Sequence, residues 1–221
     1  MKAGRQTGLG KLGGFTLLEL MVVISIIGIL STYLVINVPQ WIDRANLTAC
    51  EQNMARVYRN LVAYQTDHNG AYPSDTGQRF FLRLWKDDIV EHTASNARMF
   101  FCPGETAKDV MAFNGVEGLS IEEYLDDWDS LGPGSTSYAG FDPAGDRTNL
   151  RQLKKSPGKT TILADAHMTH RTAVIYMTAD GATHRLTKAE IEEKYGIDLD
   201  QEDFTPGPGC VIEELRTVSN D

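Results

Sequence analysis

The sequence predicts an α+β chain in which one long amino-terminal helix, membrane-spanning in its first half and amphipathic in its second, packs on a small antiparallel β-sheet. Three observations predict it. Residues 15–38 are an almost uninterrupted apolar run in which Glu19 is the only charged side chain. Over residues 41–64, apolar side chains return at helical spacing. Beyond residue 159, β-branched runs alternate with turn residues.

As a helix, residues 15–38 span about 36 Å at about 1.5 Å per residue, enough to cross a hydrocarbon core of about 30 Å. Pro39 follows, and a bend at residues 37–40 is expected because proline removes a helical hydrogen bond. After it come Trp41, Ala45, Ala49, Met54, Val57, Tyr58, Leu61 and Tyr64, interleaved with Arg44, Glu51, Arg56 and Arg59. This predicts an amphipathic helix to about Asp67, ended by Asn69-Gly70, with Trp41 and the tyrosines in the core.

The remaining elements are shorter. Residues 76–90 place Phe80, Phe81, Leu84, Trp85 and Ile89 on one face of a second helix, and Phe100-Phe101-Cys102-Pro103 reads as a buried extended piece. Ser120 with Glu123 forms a capping box for a short helix reaching Leu125 to Trp128, and Gly132-Pro133-Gly134 stops it. Strands are predicted at residues 160–165, 173–178 and 183–186, the last two joined at Asp180-Gly181. Thr187 and Glu190 form a second capping box, opening a helix toward Tyr195. The tail, with Pro206-Gly207-Pro208-Gly209, reads as loop.

Composition bounds the partners. The 221 residues carry a formal charge of −9, and without residues 1–14 this becomes −12, because Lys2, Arg5 and Lys11 have no acidic counterweight there and 18 basic residues then face 30 acidic ones. An acidic body disfavours nucleic acid and anionic membrane surfaces. Residues 40–221 are enough to bury about 70% of the unfolded surface without staples.

A secretory signal would place small residues after its apolar run. Here the glycines Gly4, Gly8, Gly10, Gly13 and Gly14 come before it, so a cut at Gly14 leaves the apolar segment attached. The basic leader predicts a cytoplasmic amino terminus and a body beyond the membrane. Gly14-Phe15-Thr16-Leu17-Leu18-Glu19 behind that leader resembles the prepilin-type cleavage and methylation motif of type IV pilins and of the pseudopilins of type II secretion systems. The resemblance implies a pilin-like fold, cleavage after Gly14 by a membrane-embedded prepilin peptidase, N-methylation of Phe15, and an assembly role for Glu19, the fifth residue after the cut. It divides the chain into a leader (residues 1–14), a transmembrane helix (15–38) and a periplasmic body (39–221). The body holds a helix at about 40–68, a variable region at about 70–158, and a sheet and tail at about 159–221.

The charges fit that role independently. An acidic residue at a membrane-helix centre costs about 2.5–3.5 kcal/mol, less toward the end, and needs a partner. A new α-amino group, with a reference pKa of about 7.7–8.0, is such a partner. In a stacked filament, Glu19 of one subunit meets the Phe15 amine of its neighbour and sets the axial register. Residues 61–73, ending in Asn69-Gly70-Ala71-Tyr72-Pro73, are similar to the helix end of major pseudopilins. The Asp180-Gly181 hairpin is similar to their Asp-Gly-His hairpin, although Ala182 and Thr183 separate Gly181 from His184 here.

Chemistry-bearing groups outside the motif are sparse. Asp165, His167, His170, Asp180 and His184 cluster near the hairpin, and His167, His170 and His184 are the candidate transition-metal ligands by residue type. Their spacing supports no shared orientation, and loop histidines explain the same letters. Asp126, Asp127 and Asp129 offer hard oxygens for calcium, which the family resemblance implies for a loop of major pseudopilins, though without matching spacing here. Calcium is the candidate cofactor, and none is required by the sequence. Cys50, Cys102 and Cys210 form no Cys-x-x-Cys pair. A Cys102–Cys210 disulfide, a Cys50–Cys102 disulfide and three free thiols are all open. Gly158-Lys159-Thr160 fails as a phosphate loop because Leu153 stands where its first glycine belongs.

The reading is therefore a non-enzymatic, single-pass inner-membrane pseudopilin with a periplasmic body. Its expected partners are further copies of itself through the amino-terminal helices, prepilin peptidase, other pseudopilins and an inner-membrane assembly platform. No nucleic acid is expected. A type IV pilus subunit for adhesion, motility or DNA uptake is the alternative within the class, and a membrane-tethered metal-binding protein or enzyme is the alternative outside it.

Overall fold

A computed structural model of the chain describes residues 15–143 and 147–221. The expected leader, with Lys2, Arg5, Lys11 and Gly14, lies outside the described residues. The chain separates into two compact units, Met1–Trp41 and Ile42–Asp221.

In the first unit, helix α1 begins at Leu17, and the whole helix, Leu17–Asp67, runs on through Pro39. The proline expected to mark a bend therefore does not interrupt the helical run. Every residue from 15 to 36 is exposed. Its polar side chains turn back on their own helix, with Ser25 Oγ donating to the Met21 carbonyl (2.8 Å), Thr32 Oγ1 to Gly28 (3.0 Å) and Asn37 Nδ2 to Tyr33 (2.8 Å). This satisfies hydroxyls and an amide where hydrocarbon offers no hydrogen bonds.

In the second unit, the rest of α1 buries Leu47, Cys50, Met54, Val57, Leu61 and Tyr64. Their steps alternate between three and four residues, so they form one seam along the helix. Burying each large apolar side chain contributes about 1.5–3 kcal/mol. Asp43 precedes the seam and is also buried. Trp41, expected in the core, is 47% exposed and instead packs edge-on to Tyr33 at 6.4 Å. Counted back four residues from Leu47, the buried side of the helix passes through Asp43, which leaves Trp41 off the seam.

The seam faces a five-stranded antiparallel sheet in the order β4-β3-β2-β1-β5. The strands are β1 (Tyr138–Phe141), β2 (Thr161–Asp165), β3 (Ala173–Thr178), β4 (Thr183–Thr187) and β5 (Val218–Ser219). The β3–β4 hairpin closes at Asp180-Gly181, where Gly181 has φ 86° and Tyr58 lies 2.5 Å from where a Cβ would stand. Around the sheet lie α2 (Gln78–Lys86), α3 (Ala94–Ala97), α4 (Ala107–Phe113), α5 (Ile121–Asp126), α6 (Arg147–Lys155) and α7 (Lys188–Tyr195). Both expected capping boxes form, Ser120 with Glu123 and Thr187 with Glu190, and a third, Thr106 with Asp109, opens α4. The expected extended piece at Phe100 is partly a 3₁₀ turn, Arg98–Phe100.

Both faces of the sheet are covered. On the α1 side, Phe80, Phe81, Trp85, Met99, Phe100, Tyr138, Phe141, Ile175 and Met177 join one cluster. On the other side, Ala139, Ala164 and Val174 meet Ile191, Phe204, Ile212, Leu215 and Val218. The tail read as loop thus supplies Cys210, Ile212, Leu215 and Val218 to the second cluster, and an edge strand. A two-sided cover is why β2 is buried throughout.

Two glycines at the start of α2 and in β1 have no room for a side chain, Gly77 against the Asp221 backbone and Gly140 against Gly77. A Cβ on Gly140 would lie 1.9 Å from the Gly77 carbonyl oxygen, and Gly77 itself has φ 58°. Backbone cannot yield as a flexible side chain would. Gly140→Ala is expected to cost about 1–3 kcal/mol of stability, measured by chemical denaturation of the detergent-solubilised chain. Gly132→Ala, with nothing within 4 Å of the added Cβ, serves as the control and should stay within about 0.5 kcal/mol.

Candidate functional site

The amino-terminal residues build a helix start. Thr16 is followed three positions later by Glu19, and the two form a reciprocal pair. The Thr16 backbone N–H (2.8 Å) and Oγ1 (2.9 Å) both donate to Glu19 Oε2, while Glu19 N–H donates to Thr16 Oγ1 (3.1 Å). This is a capping box, which supplies partners to amide groups that a helix end otherwise leaves unpaired. The signal was present in the sequence as Thr-x-x-Glu before an apolar run, and the transmembrane reading of the same letters obscured it. Both donated bonds fall on one carboxylate oxygen. Phe15 precedes the cap and is 87% exposed.

The same helix is the chain's one candidate span among the described residues, long and apolar enough to cross a membrane, and its apolar window is wholly unburied. A bare apolar cylinder of this length needs lipid or sister helices around it.

A second site lies in the body. Cys50 on the α1 seam, Cys102 just after the 3₁₀ turn, Asp165 at the end of β2 and His170 in the β2–β3 loop converge, with one ligand atom from each within 4.8 Å of the others. All four are buried. Cys102 Sγ lies 3.1 Å from His170 Nε2 and accepts from Gly104 N–H (3.3 Å). Cys50 Sγ lies 3.3 Å from Tyr138 Oη and 3.6 Å from Asp165 Oδ1, whereas Asp165 Oδ2 accepts from Ile175 N–H (2.8 Å).

These groups polarise one another. Hydrogen bonding from Cys50, aided by His170, holds the Cys102 thiol down at about 5 despite its burial. Burial drives the Cys50 thiol well above its ordinary value. Burial, with the neighbouring Cys102 charge, pushes Asp165 up to about 7. For His170, burial acts downward, but the bond to Cys102 and the Asp165 charge outweigh it and the net direction is up. The arrangement sets the acidified Cys102 thiol 3.1 Å from His170 Nε2.

The structure divides the three candidate histidines. Only His170 joins this cluster. His167 pairs with Glu105, Nε2 to Oε2 at 3.2 Å, and His184 stacks on Tyr176 at 4.9 Å with Nε2 3.3 Å from Thr178 Oγ1. Asp180 also stands apart, accepting from Thr178 Oγ1 at 2.6 Å. The β2–β3 loop gives His167 and His170 different partners, and His184 lies on the edge strand β4.

Two of the three candidate calcium residues, Asp126 and Asp127, have protein partners. Asp126 Oδ1 accepts from Trp85 Nε1 (2.8 Å) and lies 3.1 Å from His92 Nδ1, and Asp127 Oδ2 accepts from Ser130 Oγ (2.7 Å). Asp129 is exposed. Arg79, Arg83 and Lys86 crowd the intervening Trp128 ring at 4.3–5.5 Å, placing cations beside this acidic stretch.

All three cysteines are free thiols, and Cys102 and Cys210 belong to different apolar clusters. The Cys102–Cys210 pairing considered from sequence is therefore not formed, because the sheet lies between those clusters. Cys102 meets Cys50 instead.

A family model for the prokaryotic N-terminal methylation motif matches residues 11–35. No curated protein and no solved structure matches the chain. The matched residues contain the Thr16–Glu19 cap and most of the exposed apolar helix, which together form a membrane anchor. The chain thus carries a prokaryotic N-terminal methylation motif at the head of an α+β body.

Proposed function

We propose that the chain is a pseudopilin: a subunit cut between Gly14 and Phe15, N-methylated on Phe15, and polymerised into a periplasmic pseudopilus that serves protein export by a type II secretion system. The methylation motif at residues 11–35, heading a helix that is exposed from residue 15 to 36, carries this reading. In it the leader stays cytoplasmic, the body is periplasmic, and the inner membrane stores the subunit before assembly. The chain is a substrate of prepilin peptidase and performs no chemistry of its own. Other pseudopilins and an inner-membrane platform are its partners.

Glu19 has two tasks in this reading. Its Oε2 caps its own helix through Thr16, and its charge meets the Phe15 amine of a neighbouring subunit. Low dielectric makes the second interaction strong only where both charges are paired and desolvated together. The apolar faces of sister helices supply cohesion, and the charge pair selects one axial register.

Co-expression with a prepilin peptidase should yield a mature chain beginning with N-methyl Phe15. Mass spectrometry showing an intact Met1 terminus, or a cut at another bond, would remove the proposal.

The two tasks of Glu19 separate by substitution. Glu19→Gln keeps an acceptor for Thr16 and removes the charge, while Glu19→Val removes both. Both variants should insert and be cleaved, and both should lose filament assembly as seen by electron microscopy and cross-linking. Normal filaments from Glu19→Gln would reduce Glu19 to a helix cap.

A further inference from the structure

Four ionisable side chains in a dry interior are costly unless something pairs them. Cys50, Cys102, Asp165 and His170 are each no more than 1% exposed, and they arrive from well-separated parts of the chain. Two thiols, one carboxylate and one imidazole are a donor set suited to a tetrahedral zinc ion. With Zn–S of about 2.3 Å and Zn–N or Zn–O of about 2.0–2.2 Å, the edges of such a tetrahedron are about 3.3–3.8 Å. The Cys50 Sγ to Asp165 Oδ1 edge is 3.6 Å and the Cys102 Sγ to His170 Nε2 edge is 3.1 Å, with every pair inside 4.8 Å. We propose that Cys50 Sγ, Cys102 Sγ, Asp165 Oδ1 and His170 Nε2 bind one zinc ion in a closed structural site that fastens helix α1 to the sheet.

The surroundings fit that assignment atom by atom. Ile175 N–H holds Asp165 Oδ2, so Oδ1 is the oxygen that faces Cys50. Coordination through Nε2 turns His170 Nδ1 toward Asp43 Oδ1, 3.9 Å away, and this buried nitrogen has no hydrogen-bond partner in the structure. Asp43 is itself fixed by Arg171 N–H (2.9 Å) and Thr172 Oγ1 (2.6 Å). A carboxylate behind the distal nitrogen is the usual means of orienting a zinc-bound histidine. Gly104 N–H donates to Cys102 Sγ, as thiolate ligands require. A Cβ on Gly104 would lie 3.0 Å from the Thr169 carbonyl oxygen and 3.4 Å from the His170 ring, so glycine there lets the Cys102 turn approach the histidine. A cleft of about 370 Å³, lined by Asn53, Phe101, Cys102 and Pro103 among others, borders the cluster at Cys102.

The chemistry has one competitor, a Cys50–Cys102 disulfide in an oxidising compartment. The experiment uses the full chain, exported, grown with zinc and purified in detergent. Plasma mass spectrometry should find about one zinc per chain, as one tetrahedral site holds. Cys50 and Cys102 should resist alkylation until a chelator is added, and Cys210→Ser should leave the zinc in place. His170→Ala and Cys102→Ser should lose it. Cobalt exchanged into the unmutated protein should show sulfur-to-cobalt charge transfer and the intense visible bands of tetrahedral coordination. That spectrum needs no variant, so a substitution that prevents folding leaves the test intact. A metal-free chain with Cys50 and Cys102 disulfide-linked, or cobalt bound without sulfur charge transfer after reduction, overturns the assignment.

Discussion

The body depends on the seam that α1 presents to the sheet. Leu47, Cys50, Met54, Val57, Leu61 and Tyr64 occupy one side of the helix at alternating steps of three and four, and the sheet offers the matching face from Ile175, Met177 and Tyr138. Polar bonds flank it. Tyr58 Oη reaches the Ala179 carbonyl at 3.3 Å, Asn53 Nδ2 the Phe101 carbonyl at 3.0 Å, and Glu51 the Arg185 guanidinium. Exposed ion pairs such as the last are worth little. The seam's apolar burial supplies the cohesion, and the buried Asp43 and Cys50 bring polar chemistry into it.

That helix changes its environment along its length. Up to residue 36 it is exposed on every side, and within the body it is buried on one. The first stretch meets its polar groups' needs within its own helix, through the return bonds of Ser25, Thr32 and Asn37, as a hydrocarbon surrounding requires. The Thr16–Glu19 cap extends this economy to the helix start. A charged residue there is less anomalous than transfer energies alone imply, because its carboxylate already accepts two hydrogen bonds from Thr16.

Much of the fold was legible from local pattern. The helix end at Asp67, the capping boxes at Ser120 and Thr187, and strands β2 to β4 each carry a signal confined to a few residues. Strand β1 was missed because Tyr138-Ala139-Gly140-Phe141 is short and contains a glycine that only the approach of Gly77 explains. The tail was missed for a different reason. Ile212, Leu215 and Val218 are scattered among Pro, Gly and acidic residues, and their burial follows from an uncovered sheet face rather than from any period of their own. Trp41 was misplaced because a helical count begun at that residue does not know where the buried side of the helix starts.

The sequence by itself determined the apolar amino-terminal helix, its methylation motif and the α+β class, since each depends on neighbours within about a few turns of chain. Only the tertiary structure decided which polar residues meet. Cys50, Cys102, Asp165 and His170 carry no shared spacing, and their convergence requires α1, the Cys102 turn and the end of β2 to pack at one point. The three histidines that looked related by residue type are parted by the same packing. Periodicity reports which face of an element is buried, whereas a ligand set depends on where separate elements are brought together.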